Sequence, residues 1–363
     1  MLSPLKKILD HTGLDAVALV PGANFLRIFG RDFHQMERPL VVIVPAAGKP
    51  VAIVPQLEMA SFEPLGFDGT VIPWRDEDGY MPAFVKAATH LPHLTRIGVE
   101  GQRMRVFDMQ ALQTVLPEAK IIDAHKDISS VRLHKTADEI SRLRIAIQRS
   151  EIALEKTISQ VRIGQTEKQV EAILLGELFA AGCDGLSFEP IVAAGDNSAQ
   201  PHAVARHDYQ IKAGDALLID FGGRYQHFSA DITRTFFVGH VSEHDRAFYN
   251  TVLTANEKGR AVSRAGITAS DVDDATSKTL EQSQFAAFTK HKTGHGLGLD
   301  VHEAPQIMRG NTQVLEPGMV FTIEPGLYRE GEIGVRIEDN VVVTTTGIDC
   351  LTSFSRELRV LGA

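Results

Sequence analysis

The chain has 363 residues, enough for about two domains and a sizeable core, and its composition, 44% hydrophobic and 23% charged, is that of an ordinary globular protein. A formal net charge of -9, a sequence pI near 5.9 and the lack of a basic stripe exclude nucleic acid as the main partner. No run of about 18 apolar residues exists to span a membrane, the opening MLSPLKKILDHTG lacks a signal-peptide core, and Cys183 and Cys350 have no zinc or redox spacing, so a cytoplasmic protein is expected.

Residues 1–124 read as an α/β unit. Short β-rich runs fall at 16–20, 40–44, 51–54, 70–74, 96–99 and 120–123, with helical patterns at 3–11, 80–90 and 106–116 between them. Ala46-Ala47-Gly48-Lys49-Pro50 reads as a hairpin turn. Asp32, His34 and Arg38 follow Gly30 in a polar stretch that reads as a surface loop, with a loop reaching an active site as the alternative. A polar connection, 125–135, follows. Thr136-Ala137-Asp138-Glu139 is then a capping box opening a long helix, and 136–363 forms the second domain.

That second domain repeats itself. Arg162-Ile163-Gly164-Gln165-Thr166, with Val170, recurs as Arg264-Ala265-Gly266-Ile267-Thr268, with Val272. Gly214 followed by Ile219-Asp220-Phe221-Gly222 recurs as Gly318 followed by Ile323-Glu324-Pro325-Gly326. The offsets are 102 (268 less 166) and 104 (324 less 220) residues. Each half reads helix, helix, strand, strand, with an acid at a strand end, Asp220 or Glu324. A second acid follows in each, Asp231 or Glu338, and a His precedes each pair, His202 or His302. Two such halves packed about a pseudo-two-fold axis bring four carboxylates to one point.

Four carboxylates at one point cannot all remain ionised without countercharge, and two divalent cations would balance a formal charge of about -4. Asp220 and Asp231 are expected to face the same way across a hairpin turning at Gly222-Gly223, and Glu324 and Glu338 across a turn near Glu330-Gly331-Glu332. The glycine-framed His295 adds one imidazole, a set that favours Mn, Co, Fe or Zn over Ca. Taken singly these residues have plainer readings: a strand-end Asp is usually a turn residue, and a His between glycines is usually structural. Gly294-His295-Gly296-Leu297-Gly298 lacks the preceding strand and following helix of a nucleotide loop. The conjunction of a duplicated frame, an acid pair in each half and one His points to a dinuclear metal site.

The segments 187–203 (SFEPIVAAGDNSAQPHA), 217–236 (LLIDFGGRYQHFSADITRTF), 294–305 (GHGLGLDVHEAP), 318–328 (GMVFTIEPGLY) and 334–340 (GVRIEDN) resemble the pita-bread metallopeptidases, most nearly the Xaa-Pro dipeptidases (prolidases) and aminopeptidase P. The resemblance spans the C-terminal domain and extends in layout to the N-terminal half. It implies an α/β creatinase-like N-terminal domain plus an α+β pita-bread C-terminal domain with an internal pseudo-two-fold repeat. It further implies five metal ligands, Asp220, Asp231, His295, Glu324 and Glu338, with Asp231 and Glu338 bridging two divalent ions. Mn²⁺ heads the candidates, with Co²⁺, Zn²⁺ or Fe²⁺ as alternatives. His202 and His302 match the family's substrate-side histidines, Arg336 its active-site arginine, and His291 a further histidine position, although Lys290 and Lys292 give His291 the look of a polar surface loop.

The expected reaction is hydrolysis of the Xaa-Pro bond at the N-terminus of a dipeptide or short peptide by a hydroxide bridging the metals. Glu324 would shuttle the proton, His202 and His302 would steady the oxyanion, and Arg336, taken to share a strand and face with Glu338, would hold the carboxylates or the substrate. The resemblance also implies a homodimer. The rival reading is a metal-retaining relative acting on a non-peptide small molecule, a creatinase-like hydrolase or a lyase. A catalytically dead binding protein would show eroded ligands, and all five ligand positions are filled.

Overall fold

Strict alternation along the strands builds the first unit. Val17, Leu19, Val42, Val44, Ala52 and Val54 enter one apolar core, and their neighbours Ala16, Ala18, Val41, Ile43, Val51 and Ile53 enter another. Successive strand residues point to opposite faces, so a run of apolar residues feeds two cores only when both faces are covered. The computed structural model describes residues 2–362 and divides into two units, one ending at Arg132 and the other beginning at Leu133. The first holds a six-stranded sheet in the order Thr70–Trp74, Val51–Pro55, Val41–Pro45, Ala16–Leu19, Arg96–Val99, Lys120–Asp123. The two central pairings, Ala16–Leu19 with Val41–Pro45 and the latter with Val51–Pro55, are antiparallel, and the flanking ones are parallel.

The 46–50 turn joins an antiparallel pair as expected, with Gly48 at φ 95°. Two features of this unit depart from the periodic pattern. Ala23–Phe29 is a helix of seven residues, too short for a period to register, and Gly30 stops it at φ 76° with its N–H on the Leu26 carbonyl. The polar connection contains the helix His125–Ser129, whose Ile128 is buried in the core. The loop at 31–38 is tied down within its own unit, since Arg38 grips both oxygens of Asp76, through Nε at 2.9 Å and Nη2 at 2.7 Å.

The second unit follows the repeat. Thr136 opens the helix Ala137–Ser159 with a full capping box to Glu139, and Thr166 and Thr268 do the same for Glu167–Ala180 and Ala269–Glu281. Each box satisfies backbone donors that the first helical turn leaves free. The duplication reaches the backbone: Gly164 and Gly266 both have φ 88°, and the isolated bridges Thr166–Gln210 and Thr268–Val314 recur at the same two offsets. One half contributes three strands of a four-stranded sheet, in the order Val360–Leu361, Ile232–Val238, Ala216–Phe221, Ile191–Ala194, whose edge strand Val360–Leu361 comes from the end of the chain. The other contributes five strands, Glu303–Ile307, Gly294–Gly296, Val320–Ile323, Asp339–Val343, Ile348–Cys350. Cross-half bonds lock the sheets together. Glu338 N–H donates to the Thr233 carbonyl at 3.1 Å, and the Thr235 hydroxyl both donates to the Arg336 carbonyl and accepts from its N–H.

The turn between the first acid pair is not at Gly222-Gly223. It falls at Gln226-His227, where Tyr225 pairs with Phe228 and both turn residues have positive φ, 46° and 71°. Two left-handed residues suit the right-handed twist of a tight hairpin, so side chains other than glycine occupy the turn. Gly222 serves close approach instead: a Cβ there would meet the Ala230 carbonyl oxygen at 1.7 Å. Gly222→Ala is therefore expected to lower the melting temperature by several degrees, because backbone on both sides must move. Gly176→Ala, in open space within Glu167–Ala180, is expected to leave it unchanged or raise it, since alanine favours a helix interior by about 0.5–1 kcal/mol. Thermal melts of the two variants check this.

Candidate metal centre

Strand register sets the acids. Asp220 pairs with Thr233 and Phe221 with Ile232, so Asp231, two residues from Thr233, projects on the Asp220 side. Glu324 directly follows Val320–Ile323, and Glu338 directly precedes Asp339–Val343. His295 lies in Gly294–Gly296, and its glycine frame has a steric cause. A Cβ on Gly294 would meet the Thr322 carbonyl oxygen at 2.1 Å, and one on Gly296 the Ala304 carbonyl oxygen at 2.1 Å. Arg336 ends its strand, Ile333–Arg336, and Glu338 lies beyond it, so the two do not share a strand as expected. They converge through Thr233, whose hydroxyl donates to Glu338 at 2.7 Å and accepts from Arg336 Nε at 3.1 Å.

Three overlapping groups, Asp220 with Asp231 and Glu338, His295 with Glu324 and Glu338, and Asp231 with His295 and His302, each place their ligating atoms within 4.8 Å of one another. His295 Nε2 is 3.1 Å from Glu324 and 3.6 Å from Asp231. Its Nδ1 faces the Gly296 carbonyl at 3.1 Å, which turns Nε2 toward the acids. Thr322 donates to Glu324 at 3.0 Å. Asn340 clamps the Asp231 backbone, accepting from its N–H at 3.2 Å and donating to its carbonyl.

Two adjacent carboxylates show what the site lacks as protein alone. Asp339 is buried, yet Arg234 at 2.8 Å and Arg356 at 2.5 Å outweigh that burial and hold its pKa below the usual carboxylate value. Its neighbour Glu338 is pushed well above it by burial and by the charges of Glu324 and Asp220. Burial, Glu338 and Asp220 push Asp231 up in the same way. Burial opposes ionisation of Glu324 too, but His295, at hydrogen-bond distance, and the charge of Arg336 hold it down to about 2. Asp220 Oδ1 and Glu338 Oε1 are buried without a hydrogen-bond partner. Orphaned oxygens on crowded carboxylates beside an imidazole nitrogen are the donor set of a divalent cation site, so the residues fit the expected metals.

A chain of hydrogen bonds leads outward from Asp220. Arg336 Nη2 donates to Asp220 at 2.5 Å and Nη1 donates to the Tyr328 hydroxyl at 2.6 Å. The Tyr328 hydroxyl donates to His291 Nε2 at 2.7 Å, and His291 Nδ1–H to the Lys292 carbonyl at 2.7 Å. Burial lowers the His291 pKa, in keeping with this neutral ring. His291 is thus half-buried and anchored, not part of a free polar loop. Tyr328 ends the segment 318–328, but the sequence gives no sign that a tyrosine in an apolar strand links the arginine to this histidine.

The four acids, His295 and Arg336 lie in a cavity of about 810 Å³ that His202, His291 and His302 also line. His202 and His302 are exposed to solvent, and the His302 ring stands 4.2 Å from that of His295. Desolvation within the cavity and the His295 ring push the His302 pKa down to about 4. All nine expected site residues therefore share one cavity.

Comparison with known proteins bears on the same chain. The profile of metallopeptidase family M24 matches residues 141–345, and that of the creatinase/prolidase N-terminal domain matches residues 1–134. An uncharacterised peptidase of Staphylococcus epidermidis is 30% identical over 361 residues, 98% of this chain and 99% of its own. Among solved structures, a prolidase from Thermococcus sibiricus is similar at TM-score 0.92 and 32% identity, covering 99% of this chain and 98% of its own. An Xaa-Pro dipeptidase from Bacillus anthracis is similar at TM-score 0.90 and 30% identity, covering 99% of both chains. The expected two-part architecture is borne out across the whole chain.

The raised acids yield a test by linkage. Relative to low pH, the metal-free protein loses stability as pH rises from about 4, where the unfolded carboxylates ionise, through the raised native values of Asp231 and Glu338. Divalent metal is expected to release protons on binding and to raise the melting temperature more at pH 7 than at pH 5. Melting curves of chelator-stripped protein with and without Mn²⁺, and proton release in weak buffer on adding Mn²⁺, check the sign.

Proposed function

We propose, from the premise that this chain belongs to metallopeptidase family M24, that it cleaves the Xaa-Pro bond at the N-terminus of dipeptides or short peptides. Two divalent ions, Mn²⁺ first among the candidates, would be held by Asp220, Asp231, His295, Glu324 and Glu338. The observation that carries the reading is the pair of orphaned oxygens on Asp220 and Glu338 within a group of four carboxylates and one imidazole. The likeness to proteins described as a prolidase and an Xaa-Pro dipeptidase supplies the substrate class. A homodimer, which rests on the resemblance, and a cytoplasmic location, which rests on the cysteine usage and on the lack of a long apolar run, belong to the same proposal.

Bound divalent ions would supply Lewis acidity and bring the ionisation of a water near neutral pH. Glu324, ionised and braced by Thr322, accepts the proton from that water and passes it to the leaving amine. His202 and His302, at the solvent side of the cavity, donate to the carbonyl oxygen as negative charge gathers on it. Arg336 holds Asp220 in place and is itself oriented by Tyr328 and Thr233. An Xaa-Pro bond has no amide N–H, so a site that acts on the carbonyl side and grips the substrate's ends loses nothing at proline.

Chelator-stripped protein is expected to release proline from Ala-Pro only after Mn²⁺ is restored. His302→Ala is expected to lower kcat by about 100-fold or more with metal still bound, the scale of losing one oxyanion donor. Turnover by that variant at the wild-type rate would remove His302 from the mechanism. Absence of Ala-Pro cleavage with metal bound would turn the substrate search to other small amides.

A further inference from the structure

The His302 ring is exposed, and among the described residues no hydrogen bond holds it. Its place, 4.2 Å from the His295 ring, therefore depends on the backbone that carries it. That backbone is a turn, 297–302, between the strands Gly294–Gly296 and Glu303–Ile307. The residue after His302, Glu303, is buried, and so is the cation that it meets. Lys135 Nζ lies 2.9 Å from Glu303 Oε2, with the two side chains 3% and 4% exposed.

Three contacts make this ion pair the frame of the turn. Glu303 Oε1 accepts from the Asp300 N–H at 3.0 Å, so one oxygen of the carboxylate closes the turn while the other meets the lysine. Gly298, inside the turn, makes room for both partners: a Cβ there would meet Lys135 Cε at 2.9 Å and the Glu303 oxygens at 3.1 and 3.2 Å. Lys135 is itself fixed, since its N–H donates at 2.8 Å to the carbonyl of Gly318, just before Val320–Ile323, the strand that Glu324 follows. The strand pairing gives the turn less support. Glu303 pairs with Gly296 and Gln306 with His295, and the register shifts between the two, which disrupts the ladder at that point. A buried ion pair adds little net stability over apolar side chains of the same shape, so stability alone does not account for this one.

We propose that Lys135 is a positioning residue for peptide cleavage: its ammonium, closed on Glu303, holds the 297–302 turn so that His302 meets the substrate's carbonyl oxygen beside the metals. The inference rests on the Xaa-Pro peptidase reading above and on the role given there to His302. Neither Lys135 nor Glu303 is among the described residues that line the cavity, so the pair acts through the histidine and not on the substrate. A displacement of about 1 Å at such a group costs up to about 100-fold in rate.

The test is a double-mutant cycle on Ala-Pro cleavage by Mn²⁺-loaded protein. Lys135→Met removes the charge and keeps most of the side chain's length. It is expected to lower kcat by about 10- to 100-fold, with KM little changed and the metal count that of the wild type. On the His302→Ala background the same change is expected to cost almost nothing further, because the histidine that it positions is already gone. Lys135→Met also strands a buried carboxylate and lowers the melting temperature. Lys135→Met combined with Glu303→Gln removes both charges and keeps an acceptor for the Asp300 N–H. This double variant is expected to melt near the wild type and still turn over slowly, and it carries the cycle if the single variant does not fold. Equal fold-losses on the wild-type and His302→Ala backgrounds, wild-type turnover by the double variant, or metal lost from either would overturn the assignment. Wild type that cleaves no Ala-Pro with metal bound would overturn the peptidase reading and this assignment with it.

Discussion

Repulsion among four carboxylates, three of them buried and the fourth half-buried, is the constraint around which the second unit is built. Two unit charges 4.8 Å apart repel by about 3–4 kcal/mol at an effective dielectric constant of about 20. A single neutral hydrogen bond returns about 1 kcal/mol. No arrangement of hydroxyls could therefore hold Asp220, Asp231, Glu324 and Glu338 together as charged groups. Arg336 is the one cation among them, and it meets Asp220 alone at hydrogen-bond distance. The protein holds the acids by their backbones instead, through Asn340 on Asp231 and the Thr233 carbonyl on the Glu338 N–H. The contrast between Glu338 and Asp339 makes the point locally. The residue facing arginines is held ionised, and the residue facing the other acids is not.

Duplication is how one chain brings such a group together. Each half alone has two acids on neighbouring strands, a common and harmless arrangement. Packing the halves across the Thr233–Glu338 and Thr235–Arg336 contacts creates the crowding and the function in the same step. The halves are not equivalent: His295 and Arg336 both come from the second. The imidazole lies against Glu324 and the guanidinium against Asp220, so the two ends of the site differ in charge.

Much of this was legible in the sequence because it is periodic or repeated. The alternating strands of the first unit, the capping boxes at Thr136, Thr166 and Thr268, and the paired acids each leave a pattern that a single chain displays. What stayed hidden depends on meetings between distant residues. Gly222-Gly223 looked like a turn because glycine permits one, but its place is fixed by the Ala230 carbonyl pressing against it. The turn itself uses Gln226 and His227, which carry no turn signature. The connection 125–135 looked purely polar, but Ile128 enters the first core, and Lys135 is buried in an ion pair with Glu303 at 2.9 Å. His291 looked solvated between two lysines until Tyr328, 37 residues on, supplied its partner.

The central claim is that the four acids and His295 are arranged for two divalent cations. The most direct test is a metal count by elemental mass spectrometry on protein reconstituted with Mn²⁺ and dialysed free of loose metal. The account predicts close to two ions per chain. A count near zero or one, from folded protein, would contradict it, since the remaining carboxylates would then share their pocket without the charge that the geometry requires.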